Sequence, residues 1–338
     1  MTVPPCRNIH FAHNPGVSMD PTAVPPFRHL LHRLCDPEEF GVAVSGARLS
    51  ANFLGRQSKP TLVEQFQTPG LAFDFHEAHV KARLFAPLPP GWATVGLVRS
   101  KADSSWYGTA AGQGALLCNP PGEPIDGNIT PGFSSISVSV PVEIWERCRA
   151  LAGSDADTFG GFAIVGLPPR FYQLAERRLR MIRHLLHTAT MKPFTVGSAI
   201  REATDYTISL MTGAWELRTT PGPLSDSRSN RIRLARRAEE WMHAHLSDPL
   251  SIPEICLALR VSRRELEYAF RTTFDESPRD FLQALRLNAI RRALLRSEHT
   301  VTRVALDHGV THLGRFAENY RALFGESPGM TPRGEICR

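Results

Sequence analysis

The sequence lacks three patterns that would each point to a particular class of protein. Its six cysteines are scattered and none forms a C-x-x-C pair, which argues against a disulfide framework or a structural zinc site. No apolar run reaches the ~18 residues that a membrane-spanning helix needs. The first 20 residues contain no continuous apolar segment, so no signal peptide is predicted. These absences favour a reducing, cytoplasmic location and no membrane partner.

Lysine is absent from the last third of the chain, although most of the excess positive charge lies there. Residues 228–338 contain 19 Arg, no Lys and 14 acidic residues, a net charge of +5. Residues 1–227 contain 20 basic and 19 acidic residues, a net charge of +1. Guanidinium groups are planar bidentate donors, which suits phosphates and guanine edges. A solvated basic face explains the charge equally well.

Short apolar runs, separated by Pro, Gly, Asn and Asp, fill residues 40–140, beginning with a run at 40–44. This pattern of short apolar runs and turn residues predicts the strands of a β barrel or sandwich. Helical periodicity follows at 141–151, 168–190 and 200–217. Residues 219–230 have no apolar period and are rich in Pro, Gly and Ser, as in a linker.

The change from strand-like runs to helical periodicity along the chain predicts an α+β protein. Its expected parts are an N-terminal arm at 1–39 with a short helix at 27–34, a β domain with flanking helices at 40–218, a linker at 219–230, and an all-α domain at 231–338.

An internal repeat marks the all-α domain. The sequence Phe-Asp-Glu-Ser-Pro at 274–278 recurs as Phe-Gly-Glu-Ser-Pro at 324–328, 50 positions later. Phe270 and Tyr320 correspond at the same offset. Such spaced matches indicate two copies of one supersecondary unit.

The first copy, at 251–274, has the pattern of a helix-turn-helix unit. Ser251 with Glu254, and Ser262 with Glu265, are two capping boxes that predict the starts of two short helices. In such units the polar face of the second helix enters the major groove of DNA. The residues expected on that face are Ser262, Arg263, Arg264, Glu267, Tyr268 and Arg271.

The second copy, at 300–324, repeats this plan. Thr300 is the expected N-cap of its first helix, and Gly309 is expected to end that helix in a left-handed conformation. The residues expected on its outer face are Thr311, His312, Leu313, Gly314, Arg315, Glu318 and Asn319. A helix at 278–297, ~30 Å long, separates the copies and nearly matches the ~34 Å between major grooves of double-stranded DNA.

These motifs give residues 238–331 a resemblance to the AraC/XylS family of transcriptional regulators. The matching signature is Ala305, Gly309, Val310, Phe316, Tyr320, Arg321, Phe324, Gly325, Ser327 and Pro328. The segment 312–316 resembles the branch with ethanolamine-utilisation regulators. The resemblance implies a cupin-like N-terminal domain that binds a small organic effector, helices for homodimerisation, and contact with RNA polymerase as an activator.

Two positions depart from the family pattern. Arg260 stands where the family commonly has glycine, and a left-handed Arg would cost about 1 kcal/mol or more, so the first turn is expected to differ in shape. Gly314 lies inside the second recognition helix, where glycine costs up to ~1 kcal/mol relative to alanine. It either permits close approach to DNA or is a tolerated defect.

The sequence predicts no catalytic residues, no metal site and no cofactor. His76 and His79 would point to opposite faces of a strand, so they are not expected to share a metal ion. The glycine-rich segment 108–114 lacks the lysine and spacing of a phosphate loop. A group of aromatic residues either forms core, the favoured interpretation, or lines an effector pocket: Phe73, Phe75, Trp92, Trp106 and Tyr107.

Effector-controlled, sequence-specific regulation of transcription is therefore the first prediction, with the effector-binding residues unknown. A sensorless architectural DNA-binding protein is an alternative, and it would have no cavity within residues 40–140. A DNA-repair alkyltransferase with a similar helical module would need a zinc-bound cysteine cluster, against which the scattered cysteines argue.

Overall fold

The computed structural model describes residues 27–68, 70–153, 161–192, 195–217 and 226–333. Within these ranges two β-sheets and three helices are followed by an all-helical part, so the predicted α+β class is confirmed. No helix in the described ranges has both the length and the apolar character needed to cross a bilayer.

The strands are short and pair antiparallel throughout the described ranges. They are β1 (Arg28–Leu34), β2 (Ser50–Phe53), β3 (Thr61–Thr68), β4 (Leu71–Ala78), β5 (Ala82–Ala86), β6 (Trp92–Val98), β7 (Ser104–Trp106), β8 (Thr109–Ala110), β9 (Ala115–Asn119), β10 (Ile125–Ile129), β11 (Phe133–Pro141) and β12 (Ala163–Gly166). One sheet has the order β1-β3-β4-β11-β6-β9-β12, and the other β2-β5-β10-β7-β8. Neither sheet closes on itself, so the arrangement is a sandwich and the barrel alternative is wrong.

The helices are longer in the middle of the chain and at the spacer between the repeats. They are α1 (Val142–Leu151), α2 (Pro169–Met191), α3 (Val196–Leu217), α4 (Asp226–Ala244), α5 (Ile252–Leu259), α6 (Arg263–Phe274), α7 (Pro278–Arg296), α8 (Val301–Asp307) and α9 (Leu313–Phe324).

Successive side chains of a strand point to opposite faces of the sheet, so each strand of the seven-stranded sheet contributes to two cores, one beneath the helices and one between the sheets. In β4, Phe73 and Phe75 pack with helix residues such as Leu179 and Ile182 on the outer face of the seven-stranded sheet. Neighbouring positions of β4 face the other sheet, and Ala78 joins the core between the sheets. Helices α1, α2 and α3 therefore cover one side of the sandwich, and the helical periodicity at 168–190 corresponds to α2.

Two local predictions are wrong at the N-terminal end of the described chain. In place of the helix predicted at 27–34, residues 28–34 form β1, because the strand pairs with β3 from Arg28↔Gln67 to Leu34↔Thr61 and this tertiary pairing outweighs local preference. The predicted strand at 40–44 overlaps a 3-10 helix at Pro37–Val42. Asp36 and Glu39 form a capping box that starts this helix.

The predicted linker at 219–230 falls mostly outside the described residues. Its last residues, 226–230, belong to the first turns of α4. Helix α4 packs against α5 and α6 around a core that includes Phe270, Phe274 and Phe281.

Candidate DNA-binding surface

The first repeat unit forms the predicted pair of helices, α5 and α6. The Ser262 amide donates to Glu265 Oε2 (2.8 Å), and the Glu265 amide donates to Ser262 Oγ (3.2 Å), so the capping box that starts α6 is present. The Ser251 amide likewise donates to Glu254 Oε2 (2.7 Å) at the start of α5. These hydrogen bonds pair amide groups that the first helical turn leaves unsatisfied.

The turns of the two units have the same hydrogen bonds. The Arg260 amide donates to the Leu257 carbonyl (3.2 Å), and the Val261 amide donates to the Cys256 carbonyl (3.0 Å). In the second unit, Gly309 and Val310 donate to the carbonyls of Leu306 (3.0 Å) and Ala305 (3.1 Å) at equivalent positions. The expected difference in shape is therefore absent. Instead Arg260 adopts the left-handed conformation itself, with φ 55° and ψ 48°.

The thirteen residues predicted to face DNA lie on the outer faces of the two units. Eleven are exposed, and Glu267 and Asn319 are half-buried. The opposite stripes are buried, with Leu266 and Phe270 in the first unit and Phe316 and Tyr320 in the second. The structure thus presents both predicted faces to solvent.

The arginines of these faces carry uncompensated charge. Within the described ranges Arg263, Arg264, Arg271 and Arg315 form no ion pair. The sequence did not indicate one contact at the edge of the first face, where the Arg231 guanidinium of α4 lies 4.7 Å from the centre of the exposed Tyr268 ring. This arrangement leaves several guanidinium groups free to meet phosphates or base edges.

The two recognition helices begin differently. Helix α6 starts from the Ser262 capping box, whereas α9 starts from His312, whose side chain makes no capping hydrogen bond. A Cβ placed on Gly314 would meet no atom within 4 Å. The space beside Gly314 is compatible with either interpretation made from the sequence.

The spacer helix α7 is held directly by the β sandwich. The Phe53 amide of β2 donates to Asn288 Oδ1 (3.0 Å), and Asn288 Nδ2 donates to the Phe53 carbonyl (2.9 Å). Asn288 is 1% exposed, so its amide continues the hydrogen bonding of an edge strand inside the interface. A lone amide among the apolar core positions of α7 is the sequence signal that would have indicated this contact.

A buried charge cluster joins the sandwich to α4. Arg83 Nε and Nη2 donate to the two Glu239 oxygens (2.8 and 2.9 Å), and Arg83 Nη1 donates to Asp126 (2.5 Å). Arg236 Nη2 lies 2.9 Å from the second Asp126 oxygen. Burial acts to lower the Arg83 pKa, but the attraction of Glu239 and Asp126 outweighs it and the pKa is raised. Removing one member would leave charge unpaired in a buried place, which is costly.

A second charged contact joins the segment before β2 to α7. Asp36 pairs with Arg291, and Glu38 accepts from Arg292 Nε (2.6 Å). Arg291 Nη1 also donates to the Tyr320 hydroxyl (3.1 Å) of α9. The β domain therefore touches the spacer helix and, through it, the second recognition helix.

The sandwich contains a largely apolar cavity of about 80 Å³ between its sheets. Trp106 lines it, whereas Phe73 and Phe75 lie in the core beneath the helices, so the predicted aromatic group divides between the two roles. Within the described chain the buried Ser137 Oγ, on the cavity wall, has no hydrogen-bond partner. A polar atom of this kind is available to a ligand.

His76 also borders the cavity but is already engaged. Its Nε2 donates to the Ala43 carbonyl (2.7 Å), and its Nδ1 is 3.1 Å from Ser135 Oγ. Asp74, on the same face of β4, accepts from the Ser45 amide (2.7 Å), and burial raises its pKa. These interactions assign structural roles to both side chains.

A larger cleft of about 620 Å³ lies between the sandwich and the helical domain. Its lining combines arginines and carboxylates, most of which form the ion pairs described above: Arg48, Arg83, Arg236, Arg292, Arg296, Glu38, Asp126, Glu239 and Glu240. This space is more polar than the cavity between the sheets.

Comparison with known proteins finds similarity over both helix-turn-helix units of this surface. A family model described as a helix-turn-helix domain matches residues 232–333. Over 98 residues the chain is 33% identical to a probable thc operon regulatory protein of Rhodococcus erythropolis, covering 28% of this chain and 30% of that protein. Over 100 residues it is 33% identical to the XylDLEGF operon transcriptional activator of Pseudomonas putida, covering 29% and 31%. The chain thus spans under a third of these curated relatives.

The similarity of this chain to solved structures is weaker than its similarity to the curated sequences. The AraC-like transcriptional activator CuxR aligns with 17% identity and a TM-score of 0.43, covering 77% of this chain and 94% of CuxR. ToxT of Vibrio cholerae aligns with 8% identity and a TM-score of 0.30, covering 89% and 95%. At these scores the structural likeness adds nothing to the sequence matches.

Proposed function

We propose, on the premise that this chain belongs to the AraC/XylS family of regulators, that it binds double-stranded DNA sequence-specifically and regulates transcription. The observation that carries the proposal is the pair of exposed, arginine-bearing outer faces on α6 and α9, joined by one continuous helix. Helix α7 has 19 residues, about 28 Å at 1.5 Å per residue. That length suits two recognition helices in successive major grooves.

Binding should depend on the free guanidinium groups of these faces. We expect Arg264→Ala and Arg315→Ala each to cost about 1–3 kcal/mol on the specific site and much less on random DNA. Affinity should also fall steeply with salt, because each neutralised phosphate adds about −0.9 to the log–log slope. Fluorescence anisotropy across a salt series, with a site selected from a random library, measures both quantities.

Arg321→Ala is the matched control, since Arg321 is exposed near the end of α9 and outside the predicted base-reading set. Equal losses on specific and random DNA would make Arg264 and Arg315 phosphate contacts only. A flat salt response would contradict DNA binding by this surface.

The β sandwich is the proposed sensor of a small organic effector. Its apolar cavity with an unpartnered Ser137 hydroxyl favours a compact, mainly apolar molecule with one hydrogen-bonding group. At about 80 Å³ the cavity is smaller than the ~150 Å³ that accommodates benzene, so binding requires side chains or sheets to move apart. Such a movement would couple effector binding to DNA binding, because an effector acts by binding one of two conformational states of the protein more tightly than the other. The cavity also argues against a sensorless architectural role.

The coupling proposed here passes through the contacts of the sandwich with α4 and α7. Phe53, on β2, meets Asn288, and Arg83, on β5, meets Glu239. A shift of these strands would change how the helical domain is held, and about 1–3 kcal/mol of coupling suffices for regulation.

A cavity-filling variant tests the sensor role. A Cβ on Gly96 would lie 3.8 Å from Leu117 and 4.0 Å from Ser137, so Gly96→Val should fill the cavity without a backbone clash. We expect it to abolish the response to any metabolite that changes DNA affinity in the wild type, while DNA binding without metabolite persists. An undiminished response would show that the effector does not bind in this cavity. The cleft between the sandwich and the helical domain would then be the candidate site.

Homodimerisation and activation through RNA polymerase complete the proposal. Helix α2 exposes Phe171, Leu174 and Met181 at 52%, 61% and 40% along one side, a surface suited to a second copy of the chain. Sedimentation at micromolar concentration should show a dimer that Leu174→Glu dissociates, and a monomeric wild type would refute it. The relatives' role as regulators, and not enzymes, supports a function without catalysis.

A further inference from the structure

Three polar side chains from distant parts of the sequence meet outside both the DNA-binding surface and the cavity. They are His29 on β1, Glu64 on β3 and His187 on α2. One ligand atom of each residue lies within 4.8 Å of the others. The sequence carried no signal for this cluster, because its members share no motif and only the tertiary structure brings them together.

The Glu64 carboxylate divides its oxygens between two partners. Oε1 lies 2.9 Å from His29 Nε2, while Oε2 accepts from Arg183 Nε (2.5 Å). Glu64 is 9% exposed, so this arrangement is fixed largely below the surface. Oε1 is therefore the oxygen directed towards the His29 imidazole.

The imidazoles are positioned by their neighbours. The His29 ring stacks on Phe66 with centroids 4.5 Å apart and planes at 6°. The His187 ring stands edge-on to it, at 5.4 Å and 89°. His187 is exposed, so the cluster is open to solvent from the side of α2.

We propose that His29, Glu64 and His187 bind a divalent transition-metal ion of the Zn²⁺ type. Two imidazole nitrogens and one carboxylate oxygen match the donor set of open zinc sites, which keep one position for water. Bonds of about 2.0–2.2 Å in tetrahedral geometry place ligand atoms about 3.3 Å apart, within the range that a small side-chain adjustment reaches here. The ion would clamp α2 to β1, an edge strand of the seven-stranded sheet.

Arg183 is the competing cation at this place. It occupies Oε2 and lies over the Phe75 ring at 5.1 Å, so it can orient the carboxylate while Oε1 binds the ion. Its side chain is 46% exposed, and solvent therefore screens its repulsion of a bound ion. If the cluster were only an ion pair, Arg183 and His29 would satisfy Glu64 without a metal.

Titration of the metal-free full-length chain distinguishes these cases. We expect isothermal titration with Zn²⁺ to show a saturable site, Co²⁺ to give the visible absorption of a tetrahedral or five-coordinate ion, and Zn²⁺ to raise the Tm. His187→Ala should weaken binding by about tenfold or more and remove the Tm shift. Because His187 is exposed, this variant is expected to fold.

His184→Ala is the matched control, since His184 is exposed one turn earlier on α2 and outside the cluster. It should bind Zn²⁺ like the wild type. The proposal is overturned if the wild type shows no saturable binding, if His184→Ala weakens binding as much as His187→Ala, or if a His29→Ala/His187→Ala double variant still binds as the wild type does. The last result would assign the ion to other histidines.

Discussion

In the first helix-turn-helix unit the tight turn passes through Arg260, whereas in the second it passes through Gly309, with φ of 55° and 70°. The hydrogen bonds of the two turns are equivalent, so the backbone demand is the same. What differs is the space beside the turn. A Cβ on Gly309 would lie 2.3 Å from the Asp248 carbonyl oxygen, whereas Arg260 is exposed to solvent. A left-handed turn therefore tolerates an arginine where the surroundings are open.

The two units also differ in what they pack against. Core residues of the first unit, such as Leu266 and Phe270, cluster with α4 inside the helical domain. Those of the second, such as Phe316 and Tyr320, form one continuous cluster with the core of the β sandwich. The second unit thus shares an apolar core with the sandwich, whereas the first unit also meets the sandwich through ion pairs, such as those of Lys81 with Asp275 and Glu276.

The largest effect is expected from Gly309→Ala. Left-handed alanine costs about 1–2 kcal/mol, and the clash with the Asp248 backbone adds about 1–3 kcal/mol, so the helical domain should lose about 2–5 kcal/mol of stability. Chemical denaturation followed by tryptophan fluorescence measures the loss. Gly314→Ala is the control, because the added Cβ would meet open space and the substitution removes a glycine from a helix. It should leave the stability of the helical domain unchanged or increase it. Equal behaviour of the two variants would contradict the steric account.

Asn288→Ala should affect the two units differently, because it removes a contact between the sandwich and α7. It leaves the Phe53 amide and carbonyl without their side-chain partner, at about 1–3 kcal/mol for each buried group that water does not reach. Hydrogen exchange should increase in β2, α7 and α9 and remain unchanged in α5 and α6. Increased exchange of α6 instead would show that the first unit depends on the same contact.

Arg260→Gly should stabilise the first unit slightly. Relief of the left-handed strain is worth about 1 kcal/mol, which the greater freedom of glycine in the unfolded chain partly offsets. A small increase in Tm is expected, with DNA affinity unchanged because Arg260 lies outside the predicted base-reading faces. A decrease in Tm would mean that the exposed arginine makes a contribution that the turn geometry does not reveal.

Mild acid should distinguish the helix starts of the two units. Hydrogen bonds from the Ser262 amide and hydroxyl lower the pKa of Glu265 below its ordinary 4.5, and those from Ser251 do the same for Glu254. A lowered folded-state pKa gives stability that is present above the unfolded-state pKa and is lost as pH falls through the folded-state value. Amide NMR between pH 6 and 3 should show earlier loosening at the starts of α5 and α6 than at those of α8 and α9, which lack such carboxylates.

Much of the helical domain was predictable because its signals are local. The capping serines, the capping Thr300 and the left-handed Gly309 each act within a few residues, and each is found as expected. The errors occurred where partners are distant. Residues 27–34 have no local strand signal strong enough to reveal β1, since β3 supplies the pairing. The sequence left a barrel and a sandwich open, and within the described chain the choice of an open sandwich depends on which strands become edges.

By itself the sequence determined the two repeated units, the apolar stripes that bury one face of each recognition helix, and thereby the faces left to solvent. It did so because helical period and capping are short-range properties of the chain. Only the tertiary structure decided that Arg83 meets Glu239, that Asn288 meets β2, and that His29, Glu64 and His187 converge. Charge and hydrogen-bonding capacity specify what kind of partner a buried polar group needs, but the folded topology determines which partner lies within reach.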